Sequence, residues 1–236
     1  MLGFDQSTAL ITGASKGIGL AVAQRFAPEL SDLHLAARGT EELQKAAEAL
    51  ARPGLKIHLH SVDLTKEEGV HALAQGVLSA TPKLDVLVNN AGLYLPGSLL
   101  GDARSNLRYM IELNLLSHYD LINDLDSAFS SGGYIFEMSS VAAKKMFFGK
   151  PGYSISKHAQ GALIEALRHE MRPRGVRVTS VMPGPTWSHS WEGATFPEDR
   201  LLDAAHVAEA MFAAWQLPQE AVMEELVIRP FEGDIE

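Results

Sequence analysis

Cysteine is missing from this sequence altogether. Its absence excludes a disulfide framework, a thiol nucleophile and every thiolate metal site, and it suits a reducing compartment. Basic residues are also scarce: 20 Lys and Arg stand against 29 Asp and Glu, a formal net charge of −9. A surface of that sign disfavours general nucleic-acid binding. No uninterrupted apolar stretch reaches the roughly 18 residues of a membrane span. The opening run from Met1 to Gln6 lacks the basic region and apolar core of a secretory signal. The expectation is a cytoplasmic protein with neither nucleic acid nor membrane as partner. What is present is an ordinary globular mixture, 46% hydrophobic and 21% charged over 236 residues. A single domain of this length buries roughly 70 to 75% of its unfolded surface, enough for a core without metals or disulfides.

Short apolar runs at 8–12, 33–37, 56–61, 84–88, 134–138, 176–181 and 225–228 read as strands. Between them, 17–27, 41–51, 66–80, 106–129, 154–171 and 203–215 carry helical periodicity. This alternation predicts an α/β protein: a doubly wound, seven-stranded parallel sheet with helices on both faces, a single-domain Rossmann fold over 1–236. Ligands then belong beyond the carboxyl ends of the strands. No repeat, low-complexity tract or linker marks a boundary. The least regular region, 183–200, holds Trp187, His189, Trp191 and Phe196. It is too aromatic for a solvated linker and reads as a lid or pocket wall, about 185–202. His58 and His60 fall on one face of a strand and read as polar decoration, with no metal expected.

The first strand runs into a helix through Gly13, Ala14, Ser15, Lys16, Gly17, Ile18 and Gly19, where backbone can approach a pyrophosphate at a helix N-terminus. The same residues spell G-x-S-x-G, the nucleophile elbow of serine hydrolases, and Asp199, Asp203 and His206 follow Ser15 in the required order. That fold draws an oxyanion-hole amide from an upstream loop, and only fourteen residues precede Ser15. About 20 residues past the glycine turn, an NAD-preferring fold places a carboxylate on the ribose 2′-hydroxyl. Here Arg38 stands after the second strand instead. With Lys16, it suits the 2′-phosphate of NADP(H). Asp63, with Leu64 after the third strand, suits either an adenine amino group or the cap of the next helix.

The fourth strand ends in Asn89, Asn90, Ala91 and Gly92, and the fifth in Ser139 and Ser140. Tyr153 and Lys157 then share one helical face. Taken together with the glycine loop, these motifs resemble the short-chain dehydrogenase/reductase family in its compact single-domain branch, across nearly the whole chain. The resemblance implies a catalytic tetrad of Asn114, Ser140, Tyr153 and Lys157. It also implies cofactor contacts from Pro183, Gly184, Thr186 and Ser188, where Thr186 and Ser188 stand in a departure from the family's P-G-x-V-x-T.

A tyrosine is a poor proton exchanger at neutral pH, and a neighbouring ammonium favours its phenolate. On the resemblance, Lys157 does this and grips the nicotinamide ribose, Ser140 holds the carbonyl oxygen, and Asn114 helps hold a water. Tyr94, Phe147, Phe148, Trp187 and Trp191 are candidates for lining the substrate pocket. The ending Glu225 to Pro230 departs from the glycine-rich ending of the acyl-carrier-protein reductases, which argues against fatty-acid synthesis, and within the family the chain more resembles the sepiapterin-reductase-like or general carbonyl reductases. The resulting expectation is an NADPH-dependent reductase of a small carbonyl substrate, forming a homodimer or homotetramer through the helices of Asn114 and Tyr153. The alternatives are a non-catalytic NADP(H)-binding sensor and a hydrolase using Ser15.

Overall fold

The order of the strands decides where a ligand can bind. The computed structural model describes residues 7–100, 104–187 and 200–234. Its strands are β1 (Ser7–Thr12), β2 (Leu30–Ala37), β3 (Lys56–Ser61), β4 (Leu84–Asn89), β5 (Phe129–Met138), β6 (Arg177–Pro183) and β7 (Glu225–Ile228). They form one sheet in the order β3-β2-β1-β4-β5-β6-β7, parallel at every pairing. The order reverses between β1 and β4, so the connections leave to opposite faces there and open a crevice at the strands' carboxyl ends.

Helices α1 (Gly17–Phe26), α2 (Thr40–Leu50) and α7 (Ala204–Trp215) cover one face. Helices α3 (Glu67–Ala80), α5 (Ser117–Asp124) and α6 (Pro151–Met171) cover the other. Strand alternation divides the core accordingly: Ala9 and Ile11 of β1 pack into the first cluster, while Leu10 packs into the second. Tyr134, Phe136 and Met138 of β5 likewise face one cluster and Ile135 the other. On the first face Phe26 stacks on Trp215 at 5.0 Å and meets Phe136 and Phe212 edge-on, tying α1 to both β5 and α7. Among the described residues no helix is long and apolar enough to cross a membrane.

Three elements differ from the sequence expectation. β2 begins at Leu30, because polar Ser31 and Asp32 lie within it, beside a register shift in its pairing with β1. β5 begins at Phe129, through a stretch containing Gly132 and Gly133 that carries no strand periodicity. The single helix expected over 106–129 is α4 (Arg104–Ile111), a π turn (Glu112–Leu116) and α5, ending at Asp124. In the π turn the Ser117 N–H reaches back to the Glu112 carbonyl, five residues away.

The polar face of β2 and β3 is also more than decoration. His34, fully buried, stacks between the strands on His58 at 4.3 Å and His60 at 5.2 Å. Its Nδ1 meets His60 Nε2 at 3.0 Å and its Nε2 meets Thr81 Oγ1 at 2.8 Å. A Cβ at Gly76 of α3 would lie 3.0 Å from the His60 ring, so the helix closes directly over it. Among the described residues no metal-binding cluster forms.

Burial, followed by the charges of His58 and His60, holds the His34 pKa down at about 3, and His60 is lowered as well. Below pH 6.5 the unfolded chain therefore takes up protons that the folded chain refuses. Folding stability should fall as pH drops below that value, by up to about 1.4 kcal/mol per pH unit for each proton withheld. Urea unfolding at pH 7.5, 6.5 and 5.5 measures the slope, and His34→Asn, neutral throughout, should flatten it; equal slopes would contradict this account.

Candidate active site

Two cavities lie along the carboxyl ends of the strands, of about 430 and 420 Å³, and they share Ile18, Asn90, Gly92 and Thr186. The first is a groove over the glycine loop. Gly13 and Gly17 adopt φ of +65° and +56°, conformations that a side chain resists. A Cβ at Gly19 would lie 2.3 Å from the Gly13 carbonyl, so the loop closes tightly on α1. No side chain caps α1 and its first turn carries no acid, which leaves its leading amides facing the groove. The Asn90 side chain holds the loop from below through the Thr12 and Gly13 carbonyls, at 2.8 and 3.3 Å, while Thr12 Oγ1 accepts from the Asn90 and Ala91 amides.

Of the residues expected at the cofactor, Gly13, Ser15, Lys16, Gly17, Ile18, Arg38, Asp63, Leu64, Asn90, Ala91, Gly92 and Thr186 all border this groove. Gly19 is buried behind it. Both roles foreseen for Asp63 fit its place: it borders the groove, and its carboxylate accepts from the Thr65 amide and hydroxyl at the turn before α3. Those two hydrogen bonds, with Arg38 and Lys66 nearby, outweigh partial burial and hold its pKa below the ordinary carboxylate value. Glu42 and Leu113 also border the groove, unforeseen because each lies inside a helical turn whose facing side is not marked in the sequence.

The second cavity contains Tyr94, Ser140, Phe147, Tyr153, Lys157, Pro183, Gly184 and Thr186. Ser140 Oγ accepts from the Ala142 amide at 3.1 Å and so keeps its own proton to donate. That hydroxyl lies against the Tyr153 phenol and opposes the larger effect of burial, which pushes the phenol's pKa up. Lys157 Nζ is 5.9 Å from the centre of the Tyr153 ring and donates to the Met138 carbonyl and Gln160 Oε1, both at 2.9 Å. Burial lowers the Lys157 ammonium to about 8, partly offset by Glu137. Tyr94 meets Tyr153 edge-on at 5.6 Å.

Asn114 does not reach the cavity. Its Nδ2 donates to the Leu93 carbonyl at 2.9 Å and Ser156 Oγ at 3.1 Å, and its Oδ1 accepts from the Leu93 amide at 2.8 Å. The residue thus splints the loop after β4 to α6. Two pocket candidates are corrected: Phe148 is 90% exposed, and Trp187 borders the cofactor groove instead of the second cavity. Ser188 and Trp191 lie outside the described residues, as does most of the expected lid; its described ends are joined by a bridge between Thr186 and Leu202.

The hydrolase reading finds no support. Among the described residues no histidine borders the groove beside Ser15, Asp203 is used to cap α7 at the Ala205 amide, and Asp199 lies outside the described residues. Asp234, which no motif marks in the sequence, also borders the second cavity. Its side chain is 8% exposed and one oxygen pairs with Arg229, while Oδ1 has no partner among the described residues. A lone acid near the chain's end carries no motif, so no signal marked it.

Comparison with known proteins agrees with this geometry. A family model described as short chain dehydrogenase matches residues 7–195. A sepiapterin reductase of Chlorobaculum tepidum is 31% identical, with 96% of this chain and 97% of that one covered. An alcohol dehydrogenase of Thermococcus sibiricus, solved with 5-hydroxy-NADP, superposes with a TM-score of 0.89 at 31% identity, over 98% and 99% of the two chains. A metagenomic short-chain oxidoreductase solved with NADP gives 0.81 at 27% identity, over 95% and 96%. On this agreement between motif, fold and relatives, the chain belongs to the short-chain dehydrogenase family.

Proposed function

We propose that the protein is an NADPH-dependent reductase of a small carbonyl compound, reversible as an alcohol dehydrogenase. The observation that carries this reading is that Ser140, Tyr153 and Lys157 line a cavity continuous with the groove at the N-terminus of α1. The groove fits a dinucleotide: uncapped amides face the place of a pyrophosphate, and Lys16 and Arg38 border the same groove. The relatives solved with NADP and 5-hydroxy-NADP support the phosphorylated form. When bound, NADPH supplies the hydride.

The chain's own residues supply position and a proton. Ser140, whose hydroxyl lies against the Tyr153 phenol, donates to the substrate's carbonyl oxygen and sets that oxygen beside Tyr153. Tyr153 gives up its proton to the oxygen as the alcohol forms. The Lys157 ammonium, beside the ring, stabilises the phenolate that remains. Asn114 holds the cavity wall in place through Leu93. Asp234 brings a carboxylate to the cavity wall, which favours a carbonyl compound bearing a hydroxyl or amino group over a plain alkyl ketone. Tyr109, Leu116 and Tyr119, exposed along α4, the π turn and α5, support a homodimer or homotetramer through these helices. We place the reaction in the cytoplasm, in keeping with a cysteine-free chain.

Oxidation of NADPH, followed by absorbance over a panel of ketones, aldehydes, diketones and pterins, tests the reading. Tyr153→Phe should lower kcat by about 10²-fold or more while leaving NADPH binding intact; turnover that survives would remove Tyr153 from the reaction. Arg38→Ala should raise KM for NADPH by about 10 to 100-fold and leave KM for NADH unchanged. An equal effect on both cofactors would take the 2′-phosphate away from Arg38. Asp234→Asn should raise KM for hydroxyl- or amino-bearing substrates and spare simple ketones, and a uniform change across the panel would contradict the contact.

A further inference from the structure

Behind Lys157 lies a buried polar network that the reaction above does not use. Glu137 of β5, His118 of α5, Gln160 of α6 and Asn89 of β4 are each 0 to 2% exposed. Glu137 Oε1 accepts from Asn89 Nδ2 at 2.8 Å. Glu137 Oε2 lies 2.8 Å from His118 Nδ1 and 3.2 Å from Gln160 Nε2. His118 Nε2 lies 2.8 Å from the Ala91 carbonyl, in the turn that borders the cofactor groove. Gln160 Oε1 accepts from the Lys157 ammonium.

Donor and acceptor accounting leaves one solution. A carbonyl oxygen only accepts, so His118 Nε2 carries a hydrogen toward Ala91. A carboxylate and a bare ring nitrogen 2.8 Å apart would repel, so one proton lies between Glu137 and His118, whichever of them owns it. An ammonium only donates, so the Gln160 oxygen must face Lys157 and its amide nitrogen must face Glu137. Reversing that amide would set N–H against N–H at one end and remove the donor to Glu137 at the other. The orientation of Gln160 is therefore dictated from both sides. The titratable groups facing one another here are Tyr153 and Lys157 of α6, Glu137 of β5 and His118 of α5, while β4 contributes the neutral Asn89.

We propose that Glu137 and His118, sharing one proton, lock the amide of Gln160, and that Gln160 in turn holds the Lys157 ammonium charged and aimed at Tyr153. The three are positioning residues, and the inference rests on the role given above to Lys157. The same pair anchors the Ala91 carbonyl, so the cofactor turn and the lysine are held from one point.

The test reads Lys157 directly, by 13C NMR of protein labelled at lysine, with the Lys157 signal assigned by its loss in Lys157→Met. The wild-type ammonium should titrate near 8. Gln160→Met removes an acceptor and should move the titration down by about one pH unit. Gln160→Glu keeps an acceptor, adds charge and should move it up. Glu137→Gln replaces the oxygen that fixes the Gln160 amide, and should move it down as Gln160→Met does. The alkaline limb of kcat/KM for NADPH should follow the same order. A Lys157 titration unmoved in both Gln160 variants overturns the proposal, and Gln160→Glu, which keeps shape and polarity, serves if Gln160→Met fails to fold. An unmoved titration in Glu137→Gln alone removes the proton-sharing pair from it. These outcomes are separate from the reading of the reaction, which fails if Tyr153→Phe keeps its turnover whatever Lys157 does.

Discussion

An ammonium withdrawn from water must find oxygen, and much of this structure is arranged to give Lys157 that oxygen. The residue is 4% exposed, buried beneath the cavity beside the apolar cluster of the second face. Leaving such a charge without acceptors costs several kcal/mol. Its first acceptor, the Met138 carbonyl, is the last backbone oxygen of β5, released from the sheet where the strand ends. Its second, Gln160, needs partners of its own, and these bring Glu137, His118 and Asn89 into the interior. The polar cluster follows from the lysine, since none of these groups would be stable there alone.

The position of that charge follows from topology. In a parallel sheet every strand ends at the same edge, so the ends of β1, β4, β5 and β6 bring the glycine loop, the asparagine turn, Ser140 and Pro183 together without a dedicated scaffold. The π turn adds what the sheet cannot. One extra residue in the helical turn swings Asn114 inward, where its amide holds the backbone of Leu93 and the hydroxyl of Ser156. The loop that carries Tyr94 is thereby fixed to the helix that carries Tyr153, and the edge-on contact of the two rings follows.

Alternating runs of apolar residues were enough to read the parallel sheet and its helices, because a strand buried on both faces and an amphipathic helix each leave a periodic trace. Motifs local in the chain were equally legible: the glycine loop, Arg38 after the next strand and the Tyr153–Lys157 pair all stand at short, fixed spacings along the sequence. What escaped was set by neighbours distant in sequence. Asp234 meets Gly184 across fifty residues, and His118 meets Glu137 from another element, so neither pattern exists until the chain folds. Phe148 and Trp187 failed as pocket candidates for the converse reason. Proximity in sequence to Tyr153 and Gly184 does not fix which way a ring turns, and Phe147 alone of its pair faces the cavity. The starts of β2 and β5 were hidden by serine, aspartate and glycine, whose poor strand preference is overridden by pairing with β1 and β4.

The two acids of the site differ in a way that fits their positions. Glu137 has both oxygens engaged, Oε1 by Asn89 and Oε2 by His118 and Gln160, and on the proposed reading it acts on the site through Gln160 and His118. Asp234 has one oxygen held by Arg229 and the other buried without a partner among the described residues, in a residue that borders the cavity. A satisfied network gives rigidity, and an unsatisfied carboxylate gives recognition, because its desolvation is repaid only by a ligand that brings a donor. On the proposed reading, reactivity and selectivity fall on separate elements, α6 with β5 for the first and the segment after β7 for the second.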